Sequence, residues 1–180
     1  MTNPPLDSIR EADGMTLRVA LGAKPNSGGA TPAPQIMIQS PILTHLDMLK
    51  IRDQKQTPVR RFGSRYRVVP DDGEANSAAL IKGIDDLCDE VEAFARESGG
   101  IAVISDRHVT SELAAMPMTI VISAVNQRLI EEGLRRRVSV IVESGQVCSS
   151  HHVATVLGFG ASAVYSLGVQ MRAEEKFGPR

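Results

Sequence analysis

Polar side chains that could bind a ligand follow two apolar runs of the chain, residues 101–104 and 138–142. They are Ser105, Asp106, Arg107, Glu143 and Ser144. A carboxylate beside a guanidinium at such a position can form a buried ion pair or clamp a small ligand. Because such pairs are more often structural than catalytic, the residue types favour the ion pair. From the ion-pair interpretation we predict that replacing Glu143 destabilises the fold.

Cys148, His151 and His152 are of the types that zinc binds, and they lie within about one helical turn. A complete zinc site needs three or four ligands, and the remaining candidates are His108, Glu143 and the distant Cys88. We therefore expect no metal site, and we expect hydrogen bonding at a helix terminus or packing instead. Adjacent histidines point about 100° apart on a helix, so only one should face the core.

No catalytic motif is recognisable. Residues 158–163 have the letters of a dinucleotide-binding fingerprint, G-x-G-x-x-A, but they end a predicted helix and enter a strand. The fingerprint needs the reverse order, so a helix cap with a left-handed turn at Gly158 is the favoured interpretation. Ser105 and Ser144 lack the G-x-S-x-G elbow of a nucleophile, and no G-x-x-x-x-G-K phosphate loop is present. We predict no catalytic and no cofactor-binding residues.

The elements that would position these residues alternate regularly after residue 76. The predicted strands are 101–104, 138–142 and 161–165, and the predicted helices are 78–96 (capped by Asn76 or Ser77), 118–132 and 150–157 (capped by Ser149 or Ser150). Such alternation indicates right-handed crossovers and a parallel sheet. We predict an α/β fold, a partial barrel-like or open parallel βαβ sheet whose edges are covered by a partner, a self-dimer or the N-terminal region.

The first part of the chain, residues 1–75, shows little periodicity and is predicted to be an irregular N-terminal segment and linker. Residues 76–180 would form the parallel core of one domain. Within the first part, residues 17–21 suit a short strand or helical turn, and Thr44 suits the cap of a short helix at 46–51. A basic cluster, interpreted as a solvated loop or strand edge, consists of Arg60, Arg61, Arg65 and Arg67.

Composition argues against several classes of function. The net charge of −1, with four Phe, two Tyr and no Trp, argues against nucleic-acid binding. No run reaches the roughly 18 apolar residues of a membrane span, and the first residues do not resemble a signal peptide. Two Cys make no disulfide framework, so we expect a cytoplasmic protein. At 180 residues the chain is short for an eight-unit barrel, which typically needs about 250.

Several segments together resemble one family. Glu143-Ser144-Gly145, His151-His152 and residues 157–163 (LGFGASA) are similar to the central domain of the glutamate synthase large subunit. Further similar segments occur in the family's order: residues 3–11 (NPPLDSIRE), 39–44 (QSPILT), 104–107 (ISDR) and 132–135 (EGLR). Each segment alone is weak, whereas the ordered set is fairly specific.

The resemblance implies a role in glutamate biosynthesis and ammonia assimilation. In the family enzyme, an oxidoreductase, a glutaminase domain releases ammonia and an FMN barrel beside an iron–sulfur cluster uses it to make glutamate from 2-oxoglutarate. The central domain connects these parts and carries no cofactor. This chain has no N-terminal Cys nucleophile and lacks the cysteines of a cluster, so by itself it is expected to be inactive and colourless. Expected partners are the glutaminase and FMN-barrel domains, in cis or in trans, or a homo-oligomer.

The chain departs from the family pattern at Cys148, where an Arg is usual, and at residues 126–128 and 165–169. Two functions therefore stay open: a structural, channel-forming central-domain module, or a stand-alone small-molecule binding domain with a polar rim at the strand carboxyl ends. In either case the predicted ligand or interdomain contacts are Ser105, Asp106, Arg107, Glu143, Ser144, His151 and His152. Of these, Asp106, Arg107, Glu143 and the two histidines are predicted to share one face of the sheet.

Overall fold

The computed structural model describes residues 16–25 and 34–178. The strands are β1 (Val19–Leu21), β2 (Ile36–Ile38), β3 (Val59–Gly63), β4 (Arg65–Arg67), β5 (Gly100–Ser105), β6 (Leu113–Ala115), β7 (Val138–Ser144) and β8 (Ala163–Ser166). The helices are α1 (His45–Asp53), α2 (Gly73–Glu97), α3 (Met118–Glu131), α4 (Ser150–Gly158) and α5 (Leu167–Phe177), with a 3₁₀ turn at Arg135–Arg137.

The central sheet has four parallel strands in the order β3-β5-β7-β8. Every residue of β5 and β7 is buried, as expected of strands covered on both faces. Among the described residues the sheet stays open and does not close into a barrel. The predicted α/β fold with an open parallel sheet is confirmed.

The carboxyl ends of the inner strands align. Ser105 is the register partner of Glu143, which pairs in turn with Tyr165, and Ser144 pairs with Ser166. We call this end of the sheet the carboxyl edge. It is the edge at which open α/β sheets bind ligands.

A separate hydrophobic core lies against each face of the sheet, because successive side chains along a strand point to opposite faces. Val138, Val140 and Val142 of β7 pack against α2, α3 and α4 in what we call the helical core. Ile141 of β7 faces the other way, into the N-terminal core. The N-terminal core also contains Leu21, Ile38, Leu43, Met48, Ile51, Ile101, Val103, Ala163, Tyr165 and Leu167.

Helix α2 begins earlier than predicted. Asp72 is its N-cap, and its side chain accepts a hydrogen bond from the Ala75 backbone N–H at 2.8 Å. The predicted cap Asn76 instead lies inside the helix, where its side-chain amide bonds both backbone groups of Val69. The buried residues of α2 include Leu87, Val91 and Phe94, all of which lie in the helical core.

The N-terminal region supplies more structure than an irregular segment. β1 and β2 form an antiparallel pair, and α1 begins after Thr44, whose side chain forms a capping box with Asp47. Strand β3 completes one edge of the sheet. At the other edge, Leu43 N–H donates to Val164 O at 2.8 Å and Val164 N–H donates to Pro41 O at 2.7 Å. The chain's own N-terminal region thus covers the edge strand β8, which is one of the three alternatives predicted for the sheet edges. The division of the chain at residue 76 stays a prediction.

None of the helices in residues 16–25 and 34–178 combines the length and the apolar character needed to cross a membrane.

Candidate functional site

Glu143 is the most buried charged group at the carboxyl edge. It is the sixth residue of β7, and its side chain is 1% exposed. Its Oε1 accepts a hydrogen bond from Arg107 Nε at 2.8 Å. A charge with so little water access is strongly destabilising unless it is paired. The structure thus brings together the predicted pair, Arg107 and Glu143.

Arg61 is a second cation beside Glu143, and it was missed by the sequence analysis as a site residue. Its Nε lies 3.1 Å from Glu143 Oε2. The contact is an ion pair, because the N–H direction does not give hydrogen-bond geometry and Oε2 has no donor among the described residues. Alternation along β3 places Arg61 on the face opposite Phe62, which is buried in the helical core.

Asp106 builds a separate network. Its Oδ2 accepts a hydrogen bond from Ser144 Oγ at 2.6 Å, and Oδ1 accepts one from the Gly145 backbone N–H at 3.0 Å. Gln146 Nε2 adds a third donor at 3.2 Å. Asp106 is 6% exposed, so its carboxylate is used to hold the turn that follows β7 rather than to present an open ligand site.

The two carboxylates therefore lie at one edge but on opposite faces of the sheet. Glu143 follows the alternation of Ile141 and faces the N-terminal core, whereas Ser144 follows Val142 and faces the helical core with its partner Asp106. The expectation that Asp106, Arg107 and Glu143 share one face is wrong, because successive residues of a strand point to opposite sides.

The two serines of the predicted polar rim at this edge are buried. Ser105 and Ser144 are 3% and 0% exposed. Ser105 Oγ accepts from the Arg107 backbone N–H at 3.3 Å, which helps to place the Arg107 side chain. These serines thus shape the strand ends and are not open to solvent.

His151 and His152 lie apart from Glu143, in the first turn of α4. Both are exposed, so the expectation that one faces the core is wrong. His152 Nδ1 accepts from the Cys148 backbone N–H at 3.3 Å, and Ser149 Oγ accepts from the His152 N–H at 3.2 Å. The two histidines line a cavity of about 280 Å³ together with Met118 and Gln146. No group of three or more His, Cys, Asp or Glu within the described ranges is placed to hold a metal ion.

The segment with the fingerprint letters is a helix end, as predicted, but the left-handed residue is Gly160 and not Gly158. Helix α4 ends at Gly158, and Gly160 has φ +119°. The Gly160 carbonyl accepts from Arg135 Nη2 at 2.7 Å, while Arg135 Nε donates to Asn126 Oδ1 at 2.5 Å. Burial lowers the pKa of the Arg135 guanidinium. A Cβ at position 160 would collide with Asn126, so this turn requires glycine.

A cavity of about 420 Å³ lies between α1 and the sheet, on the face that Glu143 occupies. We call it the α1 pocket. Its polar lining includes Arg61, Arg107, Glu143, His45 and Tyr165. Tyr165 Oη lies 3.4 Å from His45 Nδ1. Burial raises the pKa of the Tyr165 hydroxyl, and the nearby charge of Arg107 opposes that shift.

Comparison with known proteins agrees with the resemblance found in the sequence. The family described as "Glutamate synthase central domain" matches residues 1–177. The ferredoxin-dependent glutamate synthase of Cyanidium caldarium is 34% identical over 169 residues, which cover 91% of this chain and 11% of that protein.

Two further relatives differ in the electron donor that their names carry. Glutamate synthase [NADH] of Schizosaccharomyces pombe is 33% identical over 91% of this chain and 8% of its own length. The glutamate synthase [NADPH] large chain of Bacillus subtilis is 28% identical over 91% of this chain and 10% of its own length. The chain thus spans about a tenth of the curated relatives that it matches, and it belongs to the glutamate synthase central domain family.

Proposed function

We propose that this chain is the central-domain module of a glutamate synthase. It connects a glutaminase part and an FMN-containing synthase part, in cis or in trans, and it has a structural rather than a catalytic role. The observation that carries the proposal is the family match over residues 1–177, within relatives of which this segment is about a tenth. Ammonia transfer between the two active parts is the process that the module would serve.

The internal pairing at the carboxyl edge supports a structural role. In many α/β proteins this edge holds the ligand, but here Asp106 accepts hydrogen bonds from Ser144, Gly145 and Gln146. A carboxylate already bonded by several donors is fixed in place, which suits holding a turn better than moving a proton.

Exposed apolar side chains on the helical side offer contact surfaces for neighbouring domains. Ile120 of α3 and Phe159 at the end of α4 are 54% and 45% exposed, and together they line a shallow cavity with Ala124. Exposed apolar groups that line the same surface depression are suited to an interface between domains. We assign this patch, Ile120 and Phe159, to contact with one of the two active parts.

The proposal is tested first with the isolated chain. It should show no flavin absorbance and should form no glutamate from glutamine and 2-oxoglutarate with reduced ferredoxin, NADH or NADPH. Turnover by the purified chain, or a flavin spectrum that co-purifies with it in stoichiometric amount, would contradict the structural role.

The second test is assembly. A glutaminase domain and an FMN-barrel domain of a glutamate synthase would be expressed separately and mixed with this chain, and light scattering after size exclusion would measure complex formation. We expect a complex, and we expect Ile120→Asp to weaken it. Ile81→Asp, at an exposed position of α2, serves as the matched control. Absence of any complex with either part would overturn the connecting role.

A further inference from the structure

The α1 pocket has an apolar wall beside its charged groups. Met48, Ile51, Val59 and Val103 form the apolar part of its lining. Its volume of about 420 Å³ falls within the range of small-molecule sites in proteins. The connecting role proposed above makes no use of this cavity.

The acidic and arginine side chains of the α1 pocket leave one positive charge in excess. Arg61 and Arg107 both contact Glu143, which is the one acidic residue among the described residues that line the pocket. Two guanidinium groups thus share a single carboxylate. The third arginine of the lining, Arg52, is already paired with its neighbour Asp53 at 2.7 Å. A cavity with one uncompensated positive charge attracts anions, and a bound monoanion would restore neutrality.

Arg61 has hydrogen-bond donors to offer such an anion. It contacts Glu143 through Nε, and its terminal nitrogens donate no hydrogen bond within the described part of the chain. The Arg61 side chain is 55% exposed, so a ligand in the pocket can approach it without reaching the buried Glu143 carboxylate. A guanidinium presents its N–H donors in a rigid fork, so one that contacts a carboxylate through Nε can still bind a second one through its terminal nitrogens.

The apolar wall indicates what the anion should carry besides its charge. Met48, Ile51 and Val103 belong to the N-terminal core, and the pocket exposes part of that core. An inorganic anion would leave this wall in contact with water. An alkyl group attached to the anion would cover the wall, which is favourable in proportion to the apolar surface removed from water.

We propose that the α1 pocket binds a small monocarboxylate with an apolar body. The carboxylate lies against the terminal nitrogens of Arg61, and the positive charge of Arg107 lies beside it. The carbon chain packs against Met48 and Val103. No contact between the ligand and Glu143 is needed, because Glu143 serves only to hold the two guanidinium groups together.

Four probes separate the two parts of this ligand: pentanoate, pentanamide, acetate and inorganic phosphate. Pentanamide keeps the shape of pentanoate and lacks its charge, whereas acetate keeps the carboxylate and lacks most of the chain. Phosphate is an anion with no carbon chain. We expect pentanoate to bind at least about tenfold more tightly than each of the other three.

Methyl NMR of methionine-labelled protein gives a local readout of binding. The Met48 methyl resonance should shift on titration with pentanoate, because Met48 lines the α1 pocket. The Met118 resonance should not shift, because Met118 lies in the helical core on the other face of the sheet. No shift at Met48 at millimolar pentanoate would overturn the proposal. Binding of pentanamide as tight as that of pentanoate would overturn the role of Arg61, and equal or tighter binding of acetate or phosphate would overturn the apolar body.

Adjacent residues of β3 provide a matched pair of variants. Arg61→Lys keeps a positive charge beside Glu143, and therefore the ion pair and the fold, but a single ammonium cannot also bind a second carboxylate in a bidentate manner. Arg60→Lys is the control, because Arg60 faces the opposite side of the sheet, 5.1 Å from the Phe94 ring centroid. Neither substitution alters the net charge, so nonspecific attraction of anions stays the same.

We expect Arg61→Lys to weaken pentanoate binding at least about tenfold and Arg60→Lys to leave it unchanged. Urea denaturation of both variants checks that they are folded. Binding by Arg61→Lys as tight as that of the parent chain, or equal weakening by the two substitutions, would overturn the site. Its failure would leave the connecting role intact, since that role rests on the family match and on domain assembly.

Discussion

Arg107 Nε donates a hydrogen bond of 2.8 Å to Glu143 Oε1, and this pair joins the ends of the adjacent strands β5 and β7. The two side chains differ sharply in solvent access. Glu143 is 1% exposed, whereas the Arg107 side chain is 32% exposed. Removing either partner should therefore have unequal effects, since only one of the two charges is left without access to water.

Arg107→Met should lower the free energy of unfolding by roughly 1–3 kcal/mol, because it leaves the buried Glu143 carboxylate with only the Arg61 ion pair. Glu143→Gln should cost less, about 1 kcal/mol, because the freed Arg107 can turn toward water. Urea denaturation of both single variants and of the double variant measures the coupling. Small, additive effects would show that the pair does not stabilise the fold.

Asp106→Ala should be more destabilising, by about 2–4 kcal/mol, because three donors lose their acceptor in a buried turn. Asp106→Asn keeps one acceptor oxygen and should lose roughly half as much. Ser144→Ala is the comparison, because it removes one of the three donors to Asp106 and also the acceptor of the Gln146 backbone N–H at 3.0 Å, with an expected loss of about 1–2 kcal/mol. Equal losses for Asp106→Ala and Ser144→Ala, again by urea denaturation, would contradict the network.

The sequence predicts the parallel core well because its main strands are continuous apolar, β-branched runs. Residues 138–142 identify β7, which in the structure continues for two more residues to Ser144. The start of α2 was missed by four residues or more. Asp72 caps it because the preceding loop brings that side chain to the Ala75 N–H, and this loop geometry is not encoded in the helical periodicity.

The sequence predicts the site only in part, because it does not fix the side-chain orientations at the strand ends or the pairing of distant strands. Arg107 follows β5 and Glu143 lies near the carboxyl end of the neighbouring parallel strand β7, so their proximity can be inferred from the order of elements. Glu143 and Ser144 point in opposite directions because β7 extends to Ser144. The pattern of apolar residues does not show this end of the strand, because its last two residues are polar. Arg61 reaches Glu143 because β3 pairs with β5, a long-range choice that no local pattern of the N-terminal region indicates.

The two cysteines should differ strongly in reactivity. Burial raises the pKa of the Cys88 thiol to about 11, whereas Cys148 is exposed before α4. Since the thiolate is the reactive form, an aromatic disulfide reagent at pH 8 should modify one thiol of the native protein quickly and the second only after unfolding. Cys148→Ser should abolish the fast reaction, and Cys88→Ser should leave it unchanged. Fast reaction of both thiols in the folded protein would contradict the burial of Cys88.

The cap of α1 should make part of the stability depend on pH. Asp47 Oδ2 accepts hydrogen bonds from Thr44 Oγ1 at 2.7 Å and from the Thr44 N–H at 3.0 Å, and these bonds lower the pKa of Asp47 below its ordinary value of 3.8. A lowered pKa in the folded state stabilises the fold above pH 3.8, and that contribution is lost as the pH falls through the folded-state value. Asp47→Ala should therefore cost about 0.5–1 kcal/mol at pH 7, a small effect because the site is partly solvated, and progressively less below pH 3.8. Carboxylate NMR titration checks the cause, since Thr44→Val should return the pKa of Asp47 toward its ordinary value. An unshifted Asp47 in the parent chain, or a loss on Asp47→Ala that is the same at pH 7 and pH 2.5, would show that the capping box does not control this carboxylate.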